Sequence, residues 1–272
     1  MRVACLQLNS QDDVSANLAT VARLLTQAAD QGAALAALPE MFAFMHPDRQ
    51  RKWQFATEEA QQIVLPFLAD QARRHQLSII GGSLLLANDD QTLRNCCPVF
   101  SATGDLIVTY DKIHLFDSDL ADRSYRESEQ VSAGQSAQLV TLNDWNIGLS
   151  ICYDLRFAEL FLALRNKGAE LIMLPAAFTL QTGKDHWEVL LRARAIETQC
   201  YVAAAAQVGG FPAGGGTRYT FGNALIADPW GSVVARVSDR PGHAAATLDL
   251  DYLADVRQRL PVEQHRRLGQ RS

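Results

Sequence analysis

The sequence predicts an α/β layered fold built on mixed sheets, and three observations predict it. Short apolar runs with strand periodicity interleave at first with stretches of helical periodicity. Later strand-like runs follow one another in hairpin-like succession. No solenoid-length repeat, low-complexity linker or flexible boundary divides the chain, so residues 1–272 are read as one domain. With 48% hydrophobic and 20% charged residues, the composition is that of a globular protein with a substantial core. The net charge of −5 and the lack of a basic block argue against nucleic acid or an anionic membrane as partner. No apolar run is long enough to span a bilayer, and the opening residues read as a strand, not as a secretory leader.

In order, residues 2–9 are expected as a strand and 13–29 as a helix. Val14, Leu18, Val21, Leu24, Leu25 and Ala28 supply its apolar face, and Gly32 closes it. Residues 33–38 are a short apolar strand ending at Pro39-Glu40. Residues 58–75 form a second helical pattern, which Pro66 interrupts or restarts. Runs 77–86, 93–101 and 106–110 read as strands, and 111–134 as polar and irregular. Runs 139–142 and 147–151 flank a turn at Asn143-Asp144. A helix is expected over 157–167, a strand over 171–174, a helix over 184–199 and a strand over 200–206. Residues 209–216 form a Gly/Pro-rich loop, read as a mobile pocket rim. The last strands are 221–227, 232–237 and 244–248, with a turn at Asp228-Pro-Trp-Gly231.

The five cysteines, Cys5, Cys96, Cys97, Cys152 and Cys200, are odd in number and lack framework spacing. A disulfide scaffold is not expected, and a reducing cytoplasm fits best. Four of them lie inside apolar runs and read as core. Cys152 instead stands where a strand gives way to a helix. There the helix N-terminus favours a thiolate and the next backbone N–H can face an oxyanion. From this stretch alone the thiol is equally readable as a small core residue. Glu40 and Lys112 also follow strands, and residues at the carboxyl ends of different strands can converge on one crevice. Carboxylate, ammonium and thiol together suit acyl transfer: a base, an oxyanion stabiliser and a nucleophile.

Leu38-Pro-Glu40-Met-Phe, Tyr110-Asp-Lys112-Ile-His-Leu-Phe and Gly148-Leu-Ser-Ile-Cys152-Tyr-Asp-Leu-Arg-Phe resemble, in order and separation, the three signature segments of the nitrilase superfamily of carbon–nitrogen hydrolases. The resemblance runs from Met1 to about Leu268. It also takes in Tyr125-Arg-Glu-Ser, the stretch from Pro175 to Gly183, that from His186 to Glu197, and Asp228-Pro-Trp-Gly. It implies an α-β-β-α sandwich that forms four layers, with homodimers packing helices 157–167 and 184–199 across a shared face. It implies Glu40 as general base, Lys112 as oxyanion stabiliser, Cys152 as nucleophile, Glu127 as a supporting carboxylate and the Tyr153 backbone N–H as second oxyanion donor. Within the superfamily the chain is similar to the amidase branch that acts on deaminated glutathione, whose amide yields 2-oxoglutarate and Cys-Gly, or on 2-oxoglutaramate. Another small carbon–nitrogen substrate, or a silent carboxylate-binding module, are the alternatives. Ala158, where the family often has Pro, and the Gly-rich run depart from the pattern.

Arg156 could grip a substrate carboxylate bidentately, or it could pair with Glu159. Thr179, Thr182 and His186 are further candidates for substrate contact; His186 is alternatively a packing or capping residue. His114, two residues from Lys112, is read as structural. Arg194 and Glu197 are read as an i, i+3 ion pair. Scattered histidines and no clustered Cys/His pattern imply no metal site, and no nucleotide fingerprint implies an organic cofactor. The expected partner is a small-molecule amide.

Overall fold

The structure, a computed structural model, describes residues 1–120, 123–213 and 216–267. The strand β1 (Arg2–Leu8) shows how the layers arise. Its successive side chains point to opposite faces: Val3 and Cys5 enter one core, while Ala4, Leu6 and Leu8 enter another. The helix α1 (Val14–Asp30) covers the second of these. Asp13 caps it by accepting the Ala16 N–H at 3.0 Å, and Val14, Leu18, Val21, Leu24, Leu25 and Ala28 are buried. β2 (Leu35–Ala37) lies parallel to β1 and repeats the alternation, with Leu35 and Ala37 inward and Ala36 against the helices.

α2 (Arg49–Gln54), a π-helical stretch Phe55–Val64 and α3 (Leu65–His75) then follow end to end, so the helical run starts earlier than expected. Pro66 restarts it: it falls in the first turn of α3, where a missing N–H is tolerated. The expected strand 77–86 is two, β3 (Ser78–Ile80) and β4 (Leu84–Ala87). They break at Gly81-Gly82, where Gly82 has φ +59° and a Cβ on it would lie 2.2 Å from the Pro39 carbonyl oxygen. That close approach seats the turn carrying Glu40. β5 (Leu93–Phe100) and β6 (Leu106–Asp111) complete this half of the sheet. The region expected to be irregular holds an antiparallel hairpin, β7 (Asp117–Leu120) and β8 (Arg123–Arg126), then a 3-10 turn, Glu127–Glu129. Its strands lack apolar alternation because an ion pair, Arg126–Asp119 at 2.8 Å, ties them at the surface.

The second half begins with β9 (Leu139–Leu142) and β10 (Trp145–Leu149), leading to a 3-10 turn, Cys152–Arg156, and α4 (Ala158–Asn166). β11 (Leu171–Ala176) and α5 (Leu180–Thr198) follow, then β12 (Tyr201–Pro212). β12 continues through much of the expected Gly-rich loop and pairs with β13 (Thr217–Phe221); Gly214 and Gly215 lie outside the described residues. β14 (Leu225–Ala227), β15 (Val233–Arg236), β16 (Gly242–Thr247), α6 (Leu250–Arg259) and the short α7 (Val262–His265) close the fold.

The hydrogen-bonded path runs β4-β5-β3-β2-β1-β12-β11-β10-β9, mixed parallel and antiparallel. β1 and β12 meet only at Gln7–Ala206 and Leu8–Gln207, so the sheet has two halves joined at a corner. Val3, Cys5, Leu35 and Ala37 of one half share a core with Ile147, Leu149, Ile172 and Met173 of the other. On the far face α4 packs on β10 so closely that a Cβ on Gly148 would lie 3.0 Å from Leu164 Cδ1. With α1 and α3 outside one half and α4 and α5 outside the other, the order is α-β-β-α, as expected.

Candidate active site

Three strand ends meet here. Glu40 follows β2, Lys112 follows β6 and Cys152 follows β10. All three side chains are buried. The Lys112 ammonium donates to Glu40 Oε1 at 3.0 Å and to Glu127 Oε2 at 2.8 Å. Asn95 Nδ2 ties the same two carboxylates together, donating to Glu40 Oε1 at 3.0 Å and Glu127 Oε1 at 3.1 Å. Backbone donors add to this: the Ala177 N–H reaches the other Glu40 oxygen, Oε2, at 3.0 Å, and the Phe116 N–H also reaches Glu127 Oε2, at 2.7 Å. Burial disfavours the charge on Lys112, but Glu127 and then Glu40 overcome it and hold the ammonium well above its ordinary pKa. Burial likewise opposes the Glu127 charge, and Lys112 overcomes it to keep that carboxyl below its ordinary value.

Cys152 has φ +48°, a left-handed conformation that a side-chain-bearing residue adopts at a cost of about 1–3 kcal/mol. The buried carboxylate of Asp154 holds this turn. It accepts the Ile151 N–H at 2.9 Å, the Tyr110 hydroxyl at 2.7 Å and the His114 N–H at 3.0 Å, with His114 Nδ1 at 2.7 Å. The elbow brings the thiol within the electrostatic influence of Glu40 and Lys112. Burial first, and Glu40 second, push the Cys152 thiol well above its ordinary value; Lys112 pulls the other way and does not win. The bias toward a thiolate expected from the helix N-terminus is thus opposed by burial and by Glu40. The resting group is a thiol, and attack requires a base to take its proton.

Cys152, Lys112, Glu40 and Glu127 open onto a cavity of about 470 Å³, within the range of small-molecule sites. A sequence model of the carbon–nitrogen hydrolase family matches residues 2–258. The chain belongs to the carbon–nitrogen hydrolase family. It is 41% identical to a deaminated glutathione amidase of Synechocystis sp., covering 97% of each chain. It is 41% identical to the human deaminated glutathione amidase over 97% of this chain and 82% of that one. To the ω-amidase NIT2 of Danio rerio it is 36% identical, over 98% and 94%. Its fold is similar to that of the C. elegans NitFhit protein, with TM-score 0.90 and 35% identity, over 98% of this chain but only 65% of that longer one. An amidase from Nesterenkonia sp. AN1, with a fluoroacetamide-derived acetamide moiety on its active-site cysteine, matches with TM-score 0.78 and 25% identity over 97% and 96%.

In this carbon–nitrogen hydrolase the other expected residues are placed unevenly. Tyr153 stands in the first turn of the 3-10 segment, where backbone N–H groups lack partners within the segment. Thr179 lines the cavity and caps α5, accepting the Thr182 N–H at 3.3 Å with the two hydroxyls 2.9 Å apart. Arg156, Thr182 and His186 are not among the side chains lining the cavity. Arg156 forms no ion pair with Glu159; its Nη1 lies 3.3 Å from His186 Nδ1, and its guanidinium lies over the rings of Tyr153 and Phe178. His114 stacks on Phe157 at 3.7 Å and bonds Asp154, a structural arrangement. Arg194 pairs with Glu197 at 2.8 Å.

Sequence reasoning missed Asn95 and Asp154. Asn95 is a fully buried polar residue inside an apolar strand, and that mismatch was the available signal. For Asp154 the available signal was its place two residues after Cys152, from which an acidic side chain can reach back to the N–H that precedes the turn.

Proposed function

We propose that this chain is a cysteine-dependent amidase that hydrolyses deaminated glutathione, N-(4-carboxy-4-oxobutanoyl)-cysteinylglycine, to 2-oxoglutarate and Cys-Gly. The observation that carries the chemistry is Glu40, Lys112 and Cys152 meeting at one cavity. Full-length similarity to proteins named for that substrate supports its choice. Glu40 takes the thiol proton as sulfur attacks the amide carbonyl. Lys112 and the Tyr153 N–H stabilise the oxyanion. Protonated Glu40 then hands its proton to the departing amine, leaving a thioester on Cys152. Glu40 next deprotonates water, which attacks the thioester; the C–S bond breaks, the acid leaves, and protonated Glu40 returns the proton to the Cys152 sulfur. Glu127 keeps Lys112 charged and in place. Thr179 is the expected substrate-contact residue that lines the cavity; Arg156, Thr182 and His186 stand outside it, and Arg156 reaches the keto-acid carboxylate only by leaving the Tyr153 and Phe178 rings. No metal or organic cofactor takes part.

The second reading, an ω-amidase on 2-oxoglutaramate, draws on similarity to proteins of that name. Turnover of both substrates decides: a higher kcat/KM for deaminated glutathione supports the first reading, and turnover of 2-oxoglutaramate alone supports the second. A silent carboxylate-binding module is disfavoured by the intact base, ammonium and thiol. The exposed Val189 and Ile196, seven residues apart on α5, support a homodimer through that face; α4 leaves no large apolar side chain comparably exposed. Among the described residues no helix is long and apolar enough to cross a membrane. The five free thiols support a cytoplasmic setting.

A further inference from the structure

The cavity above Cys152 is also lined by two cations that the reaction does not use. Lys52 comes from α2 and Arg218 from β13, far apart in the chain. Neither forms an ion pair with a carboxylate among the described residues, whereas neighbouring arginines do. Arg126 pairs with Asp119 at 2.8 Å and Arg94 with Asp111 at 3.2 Å. Arg218 lies over the Tyr125 ring at 4.9 Å, which orients the guanidinium plane, and its Nε is buried with no hydrogen-bond partner. The two cations feel each other: after burial, Arg218 is the main influence lowering the Lys52 pKa, with Glu127 and Asp48 opposing. Two like charges brought together at a cavity wall repel, and a buried guanidinium donor left unbonded is costly. An anionic ligand relieves both.

We infer that Lys52 and Arg218 form a receptor for a carboxylate on the leaving-group side of the substrate, the C-terminal carboxylate of the departing dipeptide. This rests on the reading that the amine released is a dipeptide. The acyl half is short and stays close to Cys152, where its carbonyl must react. The leaving half is longer and reaches toward the rim, which β13 and Phe211 help to build. Met41, Phe44 and Met45 line the same cavity and offer a soft apolar wall to the cysteine side chain between the scissile amide and that carboxylate. The receptor therefore sets specificity for carboxylated leaving groups over ammonia or neutral amines.

The test uses three amides of one acyl group, the 5-carbonyl of 2-oxoglutarate: the Cys-Gly amide, the same compound with its glycine carboxylate capped as a primary amide, and 2-oxoglutaramate. Wild type is expected to favour the free carboxylate over the capped compound by at least about tenfold in kcat/KM, mostly through KM. Arg218→Met and Lys52→Met should each collapse that ratio toward one, and Arg218→Lys should restore part of it. Thermal melting and the rate of Cys152 alkylation by iodoacetamide report whether each variant is folded; should a methionine variant fail to fold, Lys52→Gln and Arg218→Gln carry the same comparison. Equal use of the free and capped compounds by wild type, or a ratio that survives both substitutions, overturns the receptor while leaving the amidase reading standing. Turnover of 2-oxoglutaramate with neither dipeptide amide accepted overturns the substrate reading and the receptor with it.

Discussion

Glu127 Oε2 lies 2.8 Å from Lys112 Nζ, closer than the Glu40 oxygen at 3.0 Å, so the supporting carboxylate holds the ammonium at least as firmly as the base does. Two carboxylates around one ammonium leave Glu40 free to exchange a proton without stranding Lys112. Glu127→Gln should lower kcat strongly while KM changes less, because it disturbs an interaction that matters once charge develops. A change confined to KM would contradict this.

The same pair sets a pH dependence of stability. The Glu127 carboxyl is held below its ordinary value near 4.5, so its contribution is fully present above that pH and is lost as pH falls through the lower folded-state value. The Lys112 ammonium is held above its ordinary value of 10.5, so its contribution is full below that pH and is lost only as pH rises further. Denaturant unfolding of wild type and Glu127→Gln should show the variant less stable at neutral pH. The gap should narrow on acidification below about pH 4.5. A gap independent of pH in that range would show that the charge on Glu127 is not what stabilises.

Asp154→Asn keeps the size of the side chain but replaces an acceptor oxygen with a donor. The Ile151, His114 and Tyr110 donors converge on that group, and each buried donor left unsatisfied costs about 1–3 kcal/mol. Asn should therefore lower stability by an amount of that order and reduce kcat, since the left-handed turn at Cys152 loses its brace. Unfolding free energies and single-turnover kinetics check both. Wild-type stability in the variant would remove Asp154 from the account of the elbow.

Much of this site was legible in the sequence because strand ends are legible. Apolar runs ending at Leu38, Tyr110 and Ile151 place Glu40, Lys112 and Cys152 at the carboxyl edge without knowledge of the pairing order. The partners were harder. Asn95 lies within a strand whose alternation gives no hint that one amide spans two carboxylates. The β7–β8 hairpin was invisible because its strands are held by charge and not by a buried face. Lys52 and Arg218 meet only through tertiary folding, and as single residues each reads as a solvated charge. The helix N-terminus that favours a thiolate at Cys152 is legible in the sequence; the burial and the neighbouring carboxylate that oppose it come only with the fold.

If Lys112 is the oxyanion donor proposed above, Lys112→Met should cost about 10²–10³ in kcat, with KM changing less. It also leaves Glu40 and Glu127 facing each other without a cation, so the variant should be less stable as well. A pure KM effect would make Lys112 a uniform binding residue.

Substitution of Arg156 tests whether its guanidinium reaches the keto-acid carboxylate. Its removal should cost about 2–5 kcal/mol in kcat/KM for amides bearing the keto-acid carboxylate and little for analogues lacking it. Arg156→Lys should not rescue fully, because an ammonium lacks the bidentate fork. Equal losses on both compounds would mark Arg156 as structural, acting through His186 and the Tyr153 and Phe178 rings.

The central claim is that Cys152 accepts the acyl group, and intact-protein mass spectrometry of rapidly acid-quenched enzyme tests it most directly. Wild type mixed with the deaminated glutathione amide should carry one adduct with the mass of a 2-oxoglutaryl thioester, mapping to Cys152 and sensitive to hydroxylamine. Cys152→Ala should carry none and should not turn over. Robust turnover by Cys152→Ala, or an adduct mapping to Cys5, Cys96, Cys97 or Cys200, would contradict the account.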